Sequence, residues 1–198
     1  MALALLCVNK QLDIQTDITA FARGLATLRA AGATIDEIAL PQLGDLAAIN
    51  AKGGFSAAES YAWHRQLLAR EGDRYDPRVR LRIERGAAMK AYEYLDLAHA
   101  REQWIGEMEA AMLPYDALLS PTVPLVAPPI TEVAPGAERD AAFFRVNGLM
   151  LRNPSVVNML DGCAISIPCH APDELPVGLM IWDRAMRDAS VLGIALQA

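Results

Sequence analysis

Leu28–Pro41, LRAAGATIDEIALP, holds the end of a helix, its stop and a complete strand. Working backward, Ile14, Ile18, Phe21, Leu25 and Leu28 recur at spacings of four, three, four and three, which makes one apolar face on an amphipathic helix. Gly32 suits the left-handed position that stops a helix, and Asp13 or Thr16 suits its N-terminal cap. Thr34–Leu40 is the strand, closed by Pro41. Ahead of the helix, Ala2–Val8 reads as a buried strand. A helix between two strands acts as a crossover, which normally makes the strands parallel. The class read here is α/β.

Outward from this unit, Asp45 is placed to cap a helix that Gly53 and Gly54 interrupt, and Phe55–Ala69 resumes the helical pattern up to the polar turn GDRYDP. Pro77, tolerated in a first helical turn, opens a long helix expected to run to Met112. Its buried side would carry Val79, Ile83, Ala87, Ala91, Leu95, Ala98, Ile105 and Met108. Gly86 inside it costs about 1 kcal/mol relative to Ala, which close packing against another backbone would explain. Ala117–Leu119 reads as a short buried strand. The prolines Pro121, Pro124, Pro128 and Pro129 then forbid a regular helix and remove ladder donors, and their apolar setting predicts a packed connection. Arg139–Leu160 is expected to be helical in pieces, Cys163–Cys169 and Pro176–Trp182 to be strands, and Arg184–Leu196 to close as a helix. Residues 1–198 read as one domain, with residues 42–112 a helical region inside it.

The composition bounds the function. With 53% hydrophobic and 21% charged residues among 198, the chain can bury a sizeable core. A formal charge of -6 with both signs interspersed supplies no basic stripe for nucleic acid and no basic amphipathic helix for a membrane surface. Met1–Val8 is too short to span a bilayer and lacks the flanks of a signal peptide. Cys7, Cys163 and Cys169 are an odd set. Within one extended strand, Cys163 and Cys169 would lie about 20 Å apart, too far to bridge. They read as buried thiols of a reducing compartment, the cytoplasm by default.

Three later phrases are more specific: YDALLSPTVPLVAPPI from Tyr115, LRNPSVVNMLDGCAISIPC from Leu151, and LPVGLMI from Leu175. Their order and wording resemble the C-terminal half of the amidase signature hydrolases. GGFSAAESYAWHRQ, Gly53–Gln66, and YDPRVRLRIERG, Tyr75–Gly86, resemble the helical region that follows the catalytic core in many bacterial members. LRAAGATIDEIALP is similar to the helix and strand between the two. The resemblance implies hydrolysis of a linear amide by a serine nucleophile, a second serine on a cis peptide and a neutral lysine base. It also implies a mixed sheet with flanking helices, here as an incomplete amidase-signature fold.

A hydroxyl attacks an amide only when a neighbouring base takes its proton and backbone donors hold the oxyanion. The serines present are Ser56, Ser60, Ser120, Ser155, Ser166 and Ser190, with lysines Lys10, Lys52 and Lys90. None lies in a Gly/Ser-rich signature loop, no two serines are adjacent, and no catalytic residue is assigned. Other candidates divide between bland and sharp readings. Glu59 and His64 lie about 140° apart around a helix, so they form no dyad. Trp63 and His64 are expected to be ordinary helix-face residues. The sharper reading, which follows from the resemblance, puts them at the substrate entrance, because family members vary in specificity there. Asn147, Asn153 and Asn158 are expected to make structural hydrogen bonds, with Asn153 and Asn158 the alternatives for substrate contact. Cys169, His170 and Asp173 suggest a cysteine hydrolase, but adjacent strand residues face opposite ways. They and His99 also lack metal-ligand spacing, and no metal or cofactor is expected.

Two functions stand. One is the C-terminal portion of an amidase, cleaving a carboxamide C–N bond of a small substrate when joined to the missing core and inactive alone. The other is a non-catalytic oligomeric interaction protein derived from that fold. A start immediately before a strand is compatible with a truncated gene, a split enzyme or an expressed fragment. Strands Ala2–Val8 and Cys163–Cys169 look apolar on both faces, which predicts a covering partner, either an N-terminal amidase chain or a second copy. No nucleic-acid or membrane partner is expected.

Overall fold

The computed structural model describes residues 1–6 and 15–197. The chain divides into two compact units: Met1–Leu40 with Met108–Ala198, and Pro41–Glu107.

The first unit is built on five strands, β1 (Ala2–Leu6), β2 (Thr34–Ile38), β3 (Ala117–Pro121), β4 (Cys163–Pro168) and β5 (Gly178–Asp183). Their order across the sheet is β2-β1-β3-β5-β4. β1 pairs in parallel with both β2 and β3, as the strand–helix–strand reading requires. β5 is antiparallel to β3 and to β4, which makes the sheet mixed.

α1 (Gln15–Ala30) is the crossover, and it stops where Gly32 takes φ +91° and the Ala33 amide donates to the Leu28 carbonyl at 3.0 Å. Its Phe21, Leu25 and Leu28 pack with Leu3, Ala117, Leu119, Leu179 and Ile181 of the sheet, as do Val191 and Ile194 of the last helix, Asp188–Ala195. A Cβ on Gly24 would stand 3.1 Å from Cys169 Cβ and 3.2 Å from Leu179 Cδ2, so this position holds α1 close to the sheet. Ile14, the proposed cap Asp13, and Cys7 and Val8 at the expected end of β1 lie outside the described residues, as do the side chains of Ile18 and Thr16.

On the opposite face Ala4, Leu118, Met180 and Trp182 are also buried. β4 departs from expectation. Cys163, Ile165 and Ile167 pack on the core, whereas Ala164, Ser166 and Pro168 are exposed. Apolar residues on an outer strand therefore do not imply that both faces are covered. The segment Asp140–Leu160 is one continuous helix and not several pieces, even with Pro154 inside it. Proline removes one helical bond, but Val146, Asn153, Val156, Val157 and Leu160 are buried on both sides of that point and hold the two halves in one line.

The second unit is helical. After a short 3-10 turn at Pro41–Asp45 come α2 (Leu46–Ile49) and α3 (Gly54–Glu71). Asp45 occupies the cap position of α2 without making a side-chain cap bond. The expected helix from Pro77 to Met112 is broken into α4 (Pro77–Glu84), a 3-10 turn at Arg85–Ala88, and α5 (Ala91–Met112). Asp76 caps α4 through its carboxylate, accepting from the Arg78 amide at 2.8 Å and the Val79 amide at 3.4 Å. The break resets the helical phase of α5, so Leu95 is exposed while Leu97, Trp104 and Met108 are buried; within α4, Ile83 is buried and Val79 is exposed. At Gly86 the expected close packing is present: a Cβ there would lie 2.0 Å from the Ala57 carbonyl oxygen of α3.

Candidate functional site

Several polar side chains of the sheet unit meet where β3 ends. Prolines stop the β3 pairing beyond Pro121, and the Thr122 amide makes one last bond to the Gly178 carbonyl at 2.9 Å. The hydroxyls of Thr122 and Ser166 hydrogen-bond to each other across this end. Gly178 lies beneath them, and a Cβ there would come within 2.4 Å of Ser166 Oγ and 2.6 Å of Thr122 Oγ1, so only glycine leaves the two hydroxyls room to meet.

Asn153, on the helix Asp140–Leu160 (α7, following the short helix α6, Ile130–Val133), reaches the same end of the sheet. It is 5% exposed. Its Nδ2 donates to the Pro121 carbonyl at 2.6 Å and its Oδ1 accepts from Arg152 Nε at 3.1 Å, so both ends of the amide are engaged. Burial holds the Arg152 guanidinium below its ordinary pKa, with desolvation as the cause. Ser120, one residue before Pro121, is 1% exposed, and its hydroxyl has no hydrogen-bond partner among the described residues. Its face of the sheet also carries Trp182, whose buried Nε1 is likewise unpartnered. Sequence reading found Asn153 from its phrase; Ser120 carried no signal, because its isolation depends on neighbours that only the fold supplies.

The remaining candidates are dispersed. Asn158 is exposed and Asn147 half-buried, and the Asn158 carbonyl accepts from the Asp161 amide at 3.3 Å. Cys169 Sγ lies 3.5 Å from the Val177 carbonyl, and His170 Nδ1 accepts from the Val177 amide at 3.3 Å, so both are engaged with that strand entrance. Asp173 is exposed. Cys163 and Cys169 form no disulfide among the described residues and are half-buried, less buried than expected, and burial pushes the Cys163 thiol above its ordinary pKa. Nearby, Glu174 accepts from Arg23 and from the Ala171 amide, and the Arg23 partner holds its carboxyl below the ordinary glutamate value.

In the helical unit, His64 Nδ1 lies 2.7 Å from the Tyr75 hydroxyl, with the two rings edge to face at 5.6 Å. Trp63 is 83% exposed. Glu59 accepts from the Tyr94 hydroxyl at 2.8 Å, and its hydrogen bond raises the tyrosine pKa. Glu59 and His64 thus have separate partners. Among the described residues no group of three His, Cys, Asp or Glu side chains could hold a metal, and no helix is long and apolar enough to cross a membrane.

A mixed five-stranded sheet with helices on it and a proline-rich exit from the central strand defines an α/β protein whose polar site lies at a strand end. The sequence profile of the Amidase family matches residues 8–192, and the chain belongs to that family. It is 27% identical over 186 residues to 2-amino-5-chloromuconic acid deaminase of Comamonas testosteroni, covering 93% of this chain and 39% of that protein. It is 27% identical over 193 residues to a glutamyl-tRNA(Gln) amidotransferase subunit of Symbiobacterium thermophilum, covering 86% and 38%. The chain therefore spans under two fifths of the length of these relatives. Among solved structures, a variant of Kluyveromyces lactis allophanate hydrolase superposes with a TM-score of 0.83 at 22% identity, over 100% of this chain and 31% of that one. A 6-aminohexanoate cyclic dimer hydrolase gives 0.79 at 20% identity, over 98% and 44%. These likenesses establish the amidase fold.

Proposed function

We propose that this chain is the C-terminal portion of an amidase and takes part in hydrolysis of a small carboxamide C–N bond once a catalytic core supplies the serine nucleophile and its base. The observation that carries this reading is the family match across residues 8–192 in a chain that contains no Gly/Ser-rich signature loop. The named relatives include a deaminase, one component of an amidotransferase and two hydrolases, which supports amide-type chemistry without selecting a substrate.

In this reading Asn153 positions the exit of β3 by holding the Pro121 carbonyl, and acts on the substrate only through that loop. Trp63 and His64 belong to the specificity-bearing helical region, a role supported by the exposure of Trp63. Asn158 remains the second candidate for substrate contact, supported by its exposure. The partner is a core chain or segment, in the cytoplasm, with self-association of the lone chain as the alternative way to cover its surfaces.

The test is expression of the chain alone and together with its flanking coding sequence, followed by measurement of ammonia released from a panel of small carboxamides. Turnover only on co-expression is the expected result. Turnover by the lone chain that is lost on Ser120→Ala would overturn it. No turnover in either case would favour the non-catalytic interaction protein.

A further inference from the structure

The helical unit contains a cleft of about 280 Å³ between the first turns of α3 and the junction of α4 with its 3-10 turn. Its floor is apolar, made by Ala57 and Ile83 with Val79 at the side, and Arg82, Arg85, Ser56 and Ser60 supply its polar groups. No carboxylate lines it. The nearest acidic residue in sequence, Glu84, is turned to Arg80, whose Nε donates to it at 2.7 Å. Arg82 has interactions within the protein, whereas the Arg85 guanidinium has no ion pair among the described residues. Ser60 Oγ donates to the Ala57 carbonyl at 3.2 Å and keeps its lone pairs and its position at the rim; Ser56 is exposed beside it.

The cleft walls are fixed by backbone. Gly86 follows Arg85 and its Cα lies against the Ala57 carbonyl so closely that a Cβ would clash at 2.0 Å. That contact fixes the backbone next to Arg85, so no loop has to be ordered there when a ligand arrives. Two arginines lining a cleft with Ala57, Val79 and Ile83 are complementary to one chemistry, a planar anion on a compact apolar body. Guanidinium matches carboxylate through paired, parallel N–H···O bonds, and the apolar floor takes the hydrocarbon part. The positive end of α3 adds to this field but does not create it.

We propose that the cleft between α3 and α4 is a binding site for a small organic carboxylate, with Arg85 as its main anchor and Arg82 and Ser56 as supporting groups. The volume lies at the lower end of small-molecule pockets, about 300 Å³, which matches a small organic anion. The site is independent of amide hydrolysis: a chain without any turnover would still bind.

Saturation-transfer NMR on the full chain, in whatever assembly it forms, tests this with benzoate as probe and benzyl alcohol as its neutral counterpart. Benzoate is expected to bind with a Kd on the order of 1 mM. Arg85→Gln should weaken it by about tenfold, and Arg85→Lys by severalfold, because lysine keeps the charge without the planar fork. Benzyl alcohol should bind more weakly than benzoate to the parent chain. Circular dichroism establishes that each variant is folded; if Arg85→Gln is not, Arg85→Lys and Arg82→Lys decide. Absence of transfer to benzoate, equal binding of the alcohol, or undiminished benzoate binding by a folded Arg85 variant would overturn the proposal.

Discussion

The two units are each held together by different physics. In the sheet unit, Leu3, Leu119, Leu179 and Ile181 lose all contact with solvent, and Leu28 of α1, itself fully buried, joins them with Leu25 and Val191 in a continuous apolar layer on one face. In the helical unit few large side chains are buried to that degree. Its order comes from a glycine pressed on a carbonyl, a buried Trp104 whose Nε1 donates to the Gln42 carbonyl at 2.7 Å, and contacts such as Phe55 edge-on to Tyr94 at 5.5 Å. Non-directional burial tolerates changes of shape that conserve volume; point contacts between backbones do not.

The largest effect should follow from Leu119→Ala in the sheet unit, which removes a fully buried side chain from the middle of the layer. A loss of about 3 kcal/mol in urea unfolding is expected. A loss under about 1 kcal/mol would mean that the layer collapses to fill the space, and would weaken the contrast between the units.

In the helical unit, Gly86→Ala adds a single methyl yet should cost about 2 kcal/mol, because a carbonyl of α3 must move out of its way. Hydrogen exchange should show protection falling across α3 and α4. Unchanged protection would mean that backbone contact does not hold this unit.

Arg187→Ala probes a polar contact within the sheet unit. Asp183 is buried, and its Oδ2 accepts from Arg187 Nε at 3.2 Å while Oδ1 accepts from the Arg184 amide at 2.7 Å. Because Arg187 is itself partly exposed, the expected cost is discounted to about 1 kcal/mol, visible as a lowered urea midpoint. Ser120→Ala should have the opposite sign, a gain of up to about 1 kcal/mol, since it deletes a buried hydroxyl that has no partner among the described residues. A loss of stability instead would reveal a partner for that hydroxyl in solution.

The smallest effect concerns pH. Glu174 has its folded pKa lowered by Arg23 first and by the Ala171 amide second. The contribution is therefore fully present above the unfolded glutamate value, about 4.3, and is lost as pH falls through the lowered folded value. A carboxyl-carbon NMR titration should place Glu174 below ordinary glutamates, and Arg23→Gln should move it back toward them. No movement would remove Arg23 as the cause.

The sheet unit was the more legible of the two in the sequence. Phe21, Leu25 and Leu28 with Gly32 define α1 and its stop because helical periodicity and left-handed glycine are local properties, and the strands around them follow. The helical unit misled at Arg85–Lys90, where an apolar repeat continues in sequence across a physical break. The repeat does not record that Gly86 is drawn against Ala57, which shifts the phase of α5 so that Leu97 and Trp104 are buried and Leu95 is exposed. Of the candidate site, Asn153 was visible as a buried amide within a phrase of the family, while Trp63 and His64 could be placed on a helix but not given partners.

The sequence by itself determined the α/β class, the parallel crossover, the order of elements and the resemblance to the C-terminal half of the amidases, all of which rest on local pattern and wording. Only the tertiary structure decided that β5 runs between β3 and β4, that Asn153 holds the end of β3, that Ser120 is buried without a partner among the described residues, and that Arg82 and Arg85 share a cleft with Ser56. These are relations between residues distant along the chain. They arise because burial and backbone approach are properties of the packed molecule, and no short stretch of sequence carries them.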